Sequence, residues 1–411
     1  MRRLDGAPGH GSAPLEGIRV VEYGIFHAGP GANAILGDLG ADVIKIEEGQ
    51  GDPERKWINV GEVNFSLPNG ESLMFEFSNR NKRGIWLDMR KEKGRDVFVR
   101  LIEGADVFLT NLRRSTKKRL GIDYATLSRI NPRLVYASVS GYGPKGPLND
   151  LGAFDPMGQA RSGMMYVTGT REPSLIHLGV LDQATAIAAS HAIITALLVR
   201  ERKGIGQEVH VSLYSTAMWL LYANIMSIGW LSVDPSVPWV RSQHSPLRNT
   251  FRCRDGRWII GVHHPEEKYW HRFLVATGLT HLEKDPRFAD SPGRKAHCAE
   301  LLALFDEVFA TKDSPEWLDI LQRNGLMFSP VQRPAEVLTD PQALNNDYVV
   351  SFQYPSLGEV REPGYPIHFS AAKVRKRAPA PAIGEHTDEV LREIGYTERE
   401  IEELRAQRVV K

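Results

Sequence analysis

Apolar runs of strand length recur at residues 18–23, 42–47, 84–87, 105–110 and 134–140, and most are separated by stretches of helical period. Strands that alternate with helices form a parallel sheet covered on both faces, because a parallel crossover needs a dozen residues or more. The helix after the first run opens at Gly29-Pro30-Gly31 and stops at Gly40, and an amphipathic helix occupies 94–104. The spacing predicts an α/β sheet whose functional loops lie at the carboxyl ends of its strands.

Further on, an apolar stretch from Leu178 to Leu198 closes on Arg200-Glu201-Arg202-Lys203-Gly204, the basic last turn and glycine stop of a helix. Asp182 is thereby placed at or near the N-cap, where free N–H groups and the helix dipole favour a carboxylate. By position alone the acid is a cap. Another helix runs from Leu213 toward Trp230, and the Pro-rich 234–238 reads as a linker. Residues 251–262 form a hairpin turning on Asp255-Gly256, with helical patterns at 268–277 and 299–310. A chain of 411 residues exceeds one ordinary core. The expected organisation is a disordered arm at 1–13, a large α/β domain at 14–230, a small α+β domain at 231–335, and a linker with a C-terminal segment at 336–411.

Several function classes are disfavoured. A net charge of +1 gives no general attraction to nucleic acid or membrane. No apolar run approaches ~18 residues without polar interruption, so no membrane span is expected. The lead-in lacks the apolar centre of a signal peptide. Cys253 and Cys298 form no metal or redox spacing, which suits a reducing cytoplasm. His263 and His264 point to opposite faces of a strand, so no metal is expected there. Gly29-Pro30-Gly31-Ala32-Asn33-Ala34 fits a dinucleotide fingerprint, with Glu47 at the place of a ribose-binding acid. The rival reading is a plain helix start with Pro in its first turn, since five residues separate the strand from Gly29. The basic clusters at 79–83 and 113–119 suit either a polyphosphate ligand or a solvated face.

Taken in order, Leu15-Glu16-Gly17-Ile18-Arg19-Val20-Val21-Glu22, Ala28-Gly29-Pro30, Leu39-Gly40-Ala41-Asp42-Val43-Ile44-Lys45-Ile46-Glu47, Asn81-Lys82-Arg83, Ser138-Val139-Ser140-Gly141-Tyr142-Gly143, Phe154-Asp155, Asp340-Pro341-Gln342 and Gly384-Glu385-His386-Thr387 resemble the class III CoA-transferases. That family includes formyl-CoA transferase, carnitine CoA-transferase and α-methylacyl-CoA racemase, and the likeness runs from Leu15 to Lys411. The resemblance implies a Rossmann-like large domain, a C-terminal tail that rejoins it, and an interlocked homodimer, with linkers around 232–243 and 330–350. It implies an acyl-CoA:carboxylate CoA-transferase that takes CoA esters as substrates and holds no tightly bound cofactor.

Asp182 would then be the nucleophile, held ionised by the helix N-terminus, with nearby backbone N–H groups for the oxyanions. CoA contacts carry over to His27 and Ala28, to Leu87, Asp88, Met89 and Arg90, and to Asn111, Leu112, Arg113 and Arg119. Gly152, Ala153, Phe154 and Asp155 would approach the thioester. Phe154 stands where the family's racemases carry a His, Glu48 where the formyl-CoA branch has an Arg, and Arg114-Ser115 near a usual Pro-Gly, so the subfamily stays open. The alternatives are an acyl-CoA racemase or epimerase and a CoA-ester-binding protein without turnover. Trp219, Tyr222, Trp230 and Trp239 suit an acyl pocket or a core.

Overall fold

The computed structural model describes residues 12–375 and 377–411. Most of the arm expected at 1–13 lies outside these residues, while Ser12 accepts a hydrogen bond from the Lys373 N–H at 3.3 Å. Two compact units divide the chain: residues 1–237 with 350–411, and residues 238–349. The boundaries expected at 230 and 335 fall earlier. Short helices Pro334–Val337 and Pro341–Asn345 fill much of what the sequence presents as slack between 330 and 350.

The first unit is built on six parallel strands: β1 (Arg19–Glu22), β2 (Asp42–Glu47), β3 (Lys82–Trp86), β4 (Val107–Thr110), β5 (Val135–Ser140) and β6 (Gln207–Ser212). Their spatial order is 3-2-1-4-5-6, that of doubly wound sheets. Successive side chains point to opposite faces. Val20, Val43, Val107 and Val135 therefore meet α1 (Ala28–Asp38) on one side. Their neighbours Val21, Ile44, Phe108 and Tyr136 meet the helix Glu92–Glu103 on the other.

Three further helices position the site: α2 (Leu73–Asn79), α3 (Asp155–Ser162) and α4 (Val180–Lys203). By length and composition α4 is long and apolar enough to cross a membrane. Its Ala186, Ala189, Ile193, Ala196 and Leu197 nevertheless follow helical spacing into the sheet core, as in a buried helix of a globular domain.

The edge strand β3 is covered by the C-terminal segment. Thr387 Oγ1 accepts from the Trp86 N–H at 3.2 Å, Leu87 bridges Val410, and Leu391, Ile401, Leu404 and Val410 enter the sheet core. Covering an edge this way blocks further strand addition. In the second unit, strands Arg248–Arg252, Trp258–Val262 and Phe328–Pro330 form an antiparallel sheet over Phe251, Phe273, Phe305 and Phe309. There His263 is buried, between the Leu247 carbonyl and the Met327 N–H.

Candidate active site

Strand order reverses between β1 and β4, and the loops at their carboxyl ends meet there. Asn111, just past β4, spans the gap: Oδ1 accepts from the Ile25 N–H at 2.9 Å and Nδ2 donates to the Ile25 carbonyl at 2.6 Å. This clamps the loop after β1, in which Phe26 adopts a φ of +58° and donates its N–H to Asp52 Oδ1 at 3.1 Å. A buried ionic cluster lies beneath. Lys45 Nζ donates to Glu22, Asp52 and the Gly24 carbonyl, and Lys82 Nζ donates to Glu22, Asn79 and the Pro30 carbonyl. Burial raises the Glu22 pKa, but Lys45 and Lys82 outweigh it and bring it down to about 2.

The N-terminus of α4 faces the same edge, because a crossover helix runs antiparallel to its strands. Its N-cap is Gly179, with a φ of +68°, preceded by Leu178 at +61°. Asp182 is therefore the third residue of the helix rather than its cap. The cap is supplied from α3: Asp155 Oδ2 accepts from the N–H groups of Leu181 at 2.7 Å and Asp182 at 3.0 Å. Gln159 holds Asp155 Oδ1 at 2.5 Å and pins the Ile176 backbone through both ends of its amide.

Two expectations change as a result. The Leu181 and Asp182 N–H groups are already engaged, so they do not serve an oxyanion. Nor is the Asp182 carboxyl held in its charged form. Burial, and then the Asp155 charge, push its pKa up to about 7.

His27 precedes α1 with its ring buried, stacked on Phe77 at 4.2 Å between centroids. Its Nδ1 lies 2.8 Å from Ser78 Oγ on α2, and its Nε2 lies 2.8 Å from Gln183 Oε1 on α4. Burial lowers its pKa to about 4, so the ring is neutral at pH 7. Gly31 makes room for it, since a Cβ there would stand 2.6 Å from the ring. The Gly29-Pro30-Gly31 motif thus lies in the first turn of an ordinary helix, and Glu47 is paired with Arg55 rather than open to a ribose.

The remaining candidates divide by environment. Ala28 begins α1 beside His27. Leu87 and Met89 are core residues, with Leu112 packed against the same cluster. Asp88 is paired with the exposed Arg90. Arg113 and Arg119 are exposed, and Gly152 lies so close to Arg113 that a Cβ would fall 2.7 Å from Nη2. Ala153 leads to Phe154, which meets Phe26 edge to face at 5.2 Å, and Phe26 meets Trp57 at 5.8 Å.

The cluster at 79–83 is taken up internally. Lys82 joins the buried network, Arg80 pairs with Asp38, and Arg83 pairs with Asp42, Glu389 and Glu393. Trp219 and Trp230 are 73% and 78% exposed, hence not core, and Trp239 stacks on His244 in the second unit. Sequence reasoning missed Gln183 and Ser78. Gln183 follows Asp182 directly, but only the fold brings Ser78 to His27.

Comparison with known proteins gives a consistent picture. The family model described as CoA-transferase family III matches residues 15–387. An acyl-CoA transferase of Fusarium pseudograminearum is 34% identical over 93% of this chain and 85% of its own length. The (R)-2-hydroxy-4-methylpentanoate CoA-transferase of Clostridioides difficile is 31% identical over 97% of this chain and 99% of its own. The crystal structure of a CAIB/BAIF family protein from Brucella suis superposes with a TM-score of 0.81 at 30% identity, covering 93% of this chain and 100% of that one.

Proposed function

The chain belongs to CoA-transferase family III and is a CoA-transferase, and from this premise we propose that it moves CoA from an acyl-CoA to a free carboxylate through Asp182. The observation that carries the reading is the Asp182 carboxyl itself. It is half-buried in the first turn of α4, at the carboxyl edge of the sheet, with a pKa pushed up to about 7 by burial and then by the Asp155 charge, and with no cation opposing that rise. A carboxylate left without compensating charge is more basic, and so more nucleophilic, than a solvated one.

In the proposed cycle an Asp182 oxygen attacks the thioester carbonyl, and CoA leaves as the thiolate. The thiolate attacks the aspartyl carbonyl of the mixed anhydride, releasing the donor carboxylate and forming an aspartyl-CoA thioester. The acceptor carboxylate attacks that thioester and expels the thiolate again. The thiolate finally attacks the acceptor carbonyl, yielding the new acyl-CoA and freeing Asp182.

Arg113 and Arg119 have the charge and exposure to meet CoA phosphates. The Trp57–Phe26–Phe154 row supplies apolar surface near the thioester. We also propose a reducing cytoplasm, which suits the two unpaired thiols Cys253 and Cys298. The proposal extends to a homodimer, supported by the exposed apolar side chains Trp219, Tyr222, Trp230 and Leu231. An active monomer in sedimentation at nanomolar concentration would refute the dimer.

The test of the chemistry is trapping. Hydroxylamine or borohydride should modify Asp182 only while acyl-CoA is present, as read by peptide mass spectrometry. An adduct on another residue, or turnover by a folded Asp182→Ala chain, would overturn the assignment. A screen of acyl-CoA donors against carboxylate acceptors, 2-hydroxy acids included, identifies the substrates.

A further inference from the structure

Three stretches of the first unit meet at Asp182. Ala28 and Ala153 pack against the apolar cluster that holds Leu181, which brings residues 26–28, 153–155 and 181–183 together. Asp155 Oδ2 lies 3.0 Å from the Asp182 nitrogen, so the Phe154 Cα stands within about 10 Å of that nitrogen. The Phe154 side chain is 49% exposed and meets Phe26 edge to face, and Phe26 meets the exposed Trp57 in the same way. Phe26 is fixed by its N–H bond to Asp52, at a φ of +58° that side chains of its kind seldom adopt. Leu178 and Val180, both exposed, flank Gly179, and a Cβ on Gly179 would stand 3.9 Å from Asp182 Oδ2. The first unit therefore surrounds its nucleophile with exposed apolar surface, much of it aromatic.

The fixed charge beside Asp182 has the same sign as the nucleophile. Asp155 Oδ2 is held by the Leu181 and Asp182 N–H groups and Oδ1 by Gln159, so this carboxylate cannot turn away. Arg113 lies against Gly152, and the Arg161 guanidinium lies 5.8 Å from the ring centroids of Tyr142 and of Tyr214. Neither cation acts on the Asp182 carboxyl, which responds to burial and to Asp155 alone. A substrate with a second carboxylate would bring that charge to an apolar surface beside a fixed anion. It would lose hydration there and gain no partner. An uncharged apolar acyl group would instead gain by covering the rings.

Resting on Asp182 as the nucleophile, we propose that the substrates are monocarboxylates with an aryl or branched-alkyl body, that this body lies along Phe154, Phe26 and Trp57, and that Asp155 rejects dicarboxylates. Phe154 is the specificity-determining residue of the row, because its ring is the most exposed of the three and follows directly on the segment that reaches Asp182. The order of the proposed cycle extends the assignment to both substrates. The donor carboxylate leaves before the acceptor attacks the same aspartyl carbonyl, so one surface serves the two in turn, and donor and acceptor belong to one chemical class.

The test compares thioesters that share the CoA moiety and differ only in the acyl group: 3-phenylpropanoyl-CoA, 4-methylpentanoyl-CoA, acetyl-CoA and glutaryl-CoA. Their dissociation constants are measured by calorimetry on the full chain carrying Asp182→Asn, which binds without reacting. The phenylpropanoyl and methylpentanoyl esters should bind about 100-fold more tightly than glutaryl-CoA, the scale of a like-charge contact. Adding Phe154→Ala should weaken 3-phenylpropanoyl-CoA about 10-fold more than acetyl-CoA, as expected for lost burial of one ring. Adding Asp155→Asn, which keeps an acceptor for the two N–H groups, should bring glutaryl-CoA about 10-fold closer to the apolar esters. Glutaryl-CoA binding within about threefold of 3-phenylpropanoyl-CoA overturns the proposal. So does an equal loss of both esters in Phe154→Ala, or tight glutaryl-CoA binding that vanishes in Arg161→Ala, which would make Arg161 the partner of a second carboxylate. If Asp155→Asn does not fold, the exposed Phe154→Ala decides alone. Binding needs no turnover, so failure of the Asp182 reading remains separately visible in the trapping experiment.

Discussion

Asp182 carries two demands that oppose each other. Reactivity favours a carboxylate poorly compensated by its surroundings, and stability favours a well-solvated one. Its folded pKa of about 7 lies above the ordinary value of 3.8, so ionisation destabilises the fold. The cost is absent below about pH 4, grows as pH rises, and is complete above pH 7. Asp182→Asn should therefore be more stable than the native chain, by a margin larger at pH 8 than at pH 4, as read by thermal melts in both buffers. The same variant should lose at least ~10³-fold in kcat, since an amide cannot form the anhydride. The opposite case is Glu22, whose pKa lies below the ordinary carboxylate range because Lys45 and Lys82 need its charge. Glu22→Gln leaves two buried ammonium groups short of a partner and should cost about 3–5 kcal/mol in denaturant unfolding.

At the scale of the element, the N-terminus of α4 is held by another helix. Asp155 caps it from α3, and Gln159 fixes Asp155. Asp155→Ala removes the acceptor of two N–H groups and should cost about 0.5–2 kcal/mol. Asp155→Asn keeps an acceptor while removing the charge that raises the Asp182 pKa. The acid limb of its pH–rate profile should shift to lower pH, with the Asp182 adduct still trappable. An unshifted limb would mean that burial alone sets the Asp182 pKa. The basic cluster at 79–83 makes a similar point: it looks like a ligand site in sequence, yet all three of its cations are matched by acids from β1, β2, α1 and the helix Thr387–Glu393.

For the molecule as a whole, the C-terminal segment completes the sheet that bears the site. Leu404 is 4% exposed in the core beneath β3. Leu404→Ala should cost about 2–5 kcal/mol, measured by chemical unfolding of the first-unit signal.

The strand–helix alternation and the long helix after Asp182 were legible in the sequence, because periodicity and helix stops are local, whereas the return of the C-terminal segment was implied only by the family resemblance. The order of family motifs pointed to Asp182 for the same reason, as a linear pattern. Strand β6 escaped notice because Gln207–Ser212 sets its two valines among polar residues and lacks a continuous apolar run. What only the tertiary structure decided is electrostatic and long-range. Asp155 reaches α4 across 26 and 27 positions, and Ser78 reaches His27 across 51. Burial and charge from such distant residues set whether Asp182 is ionised, whether His27 is neutral and which N–H groups remain free. A residue's chemistry at this site depends on desolvation and on partners far away along the chain, and neither is written in its immediate sequence.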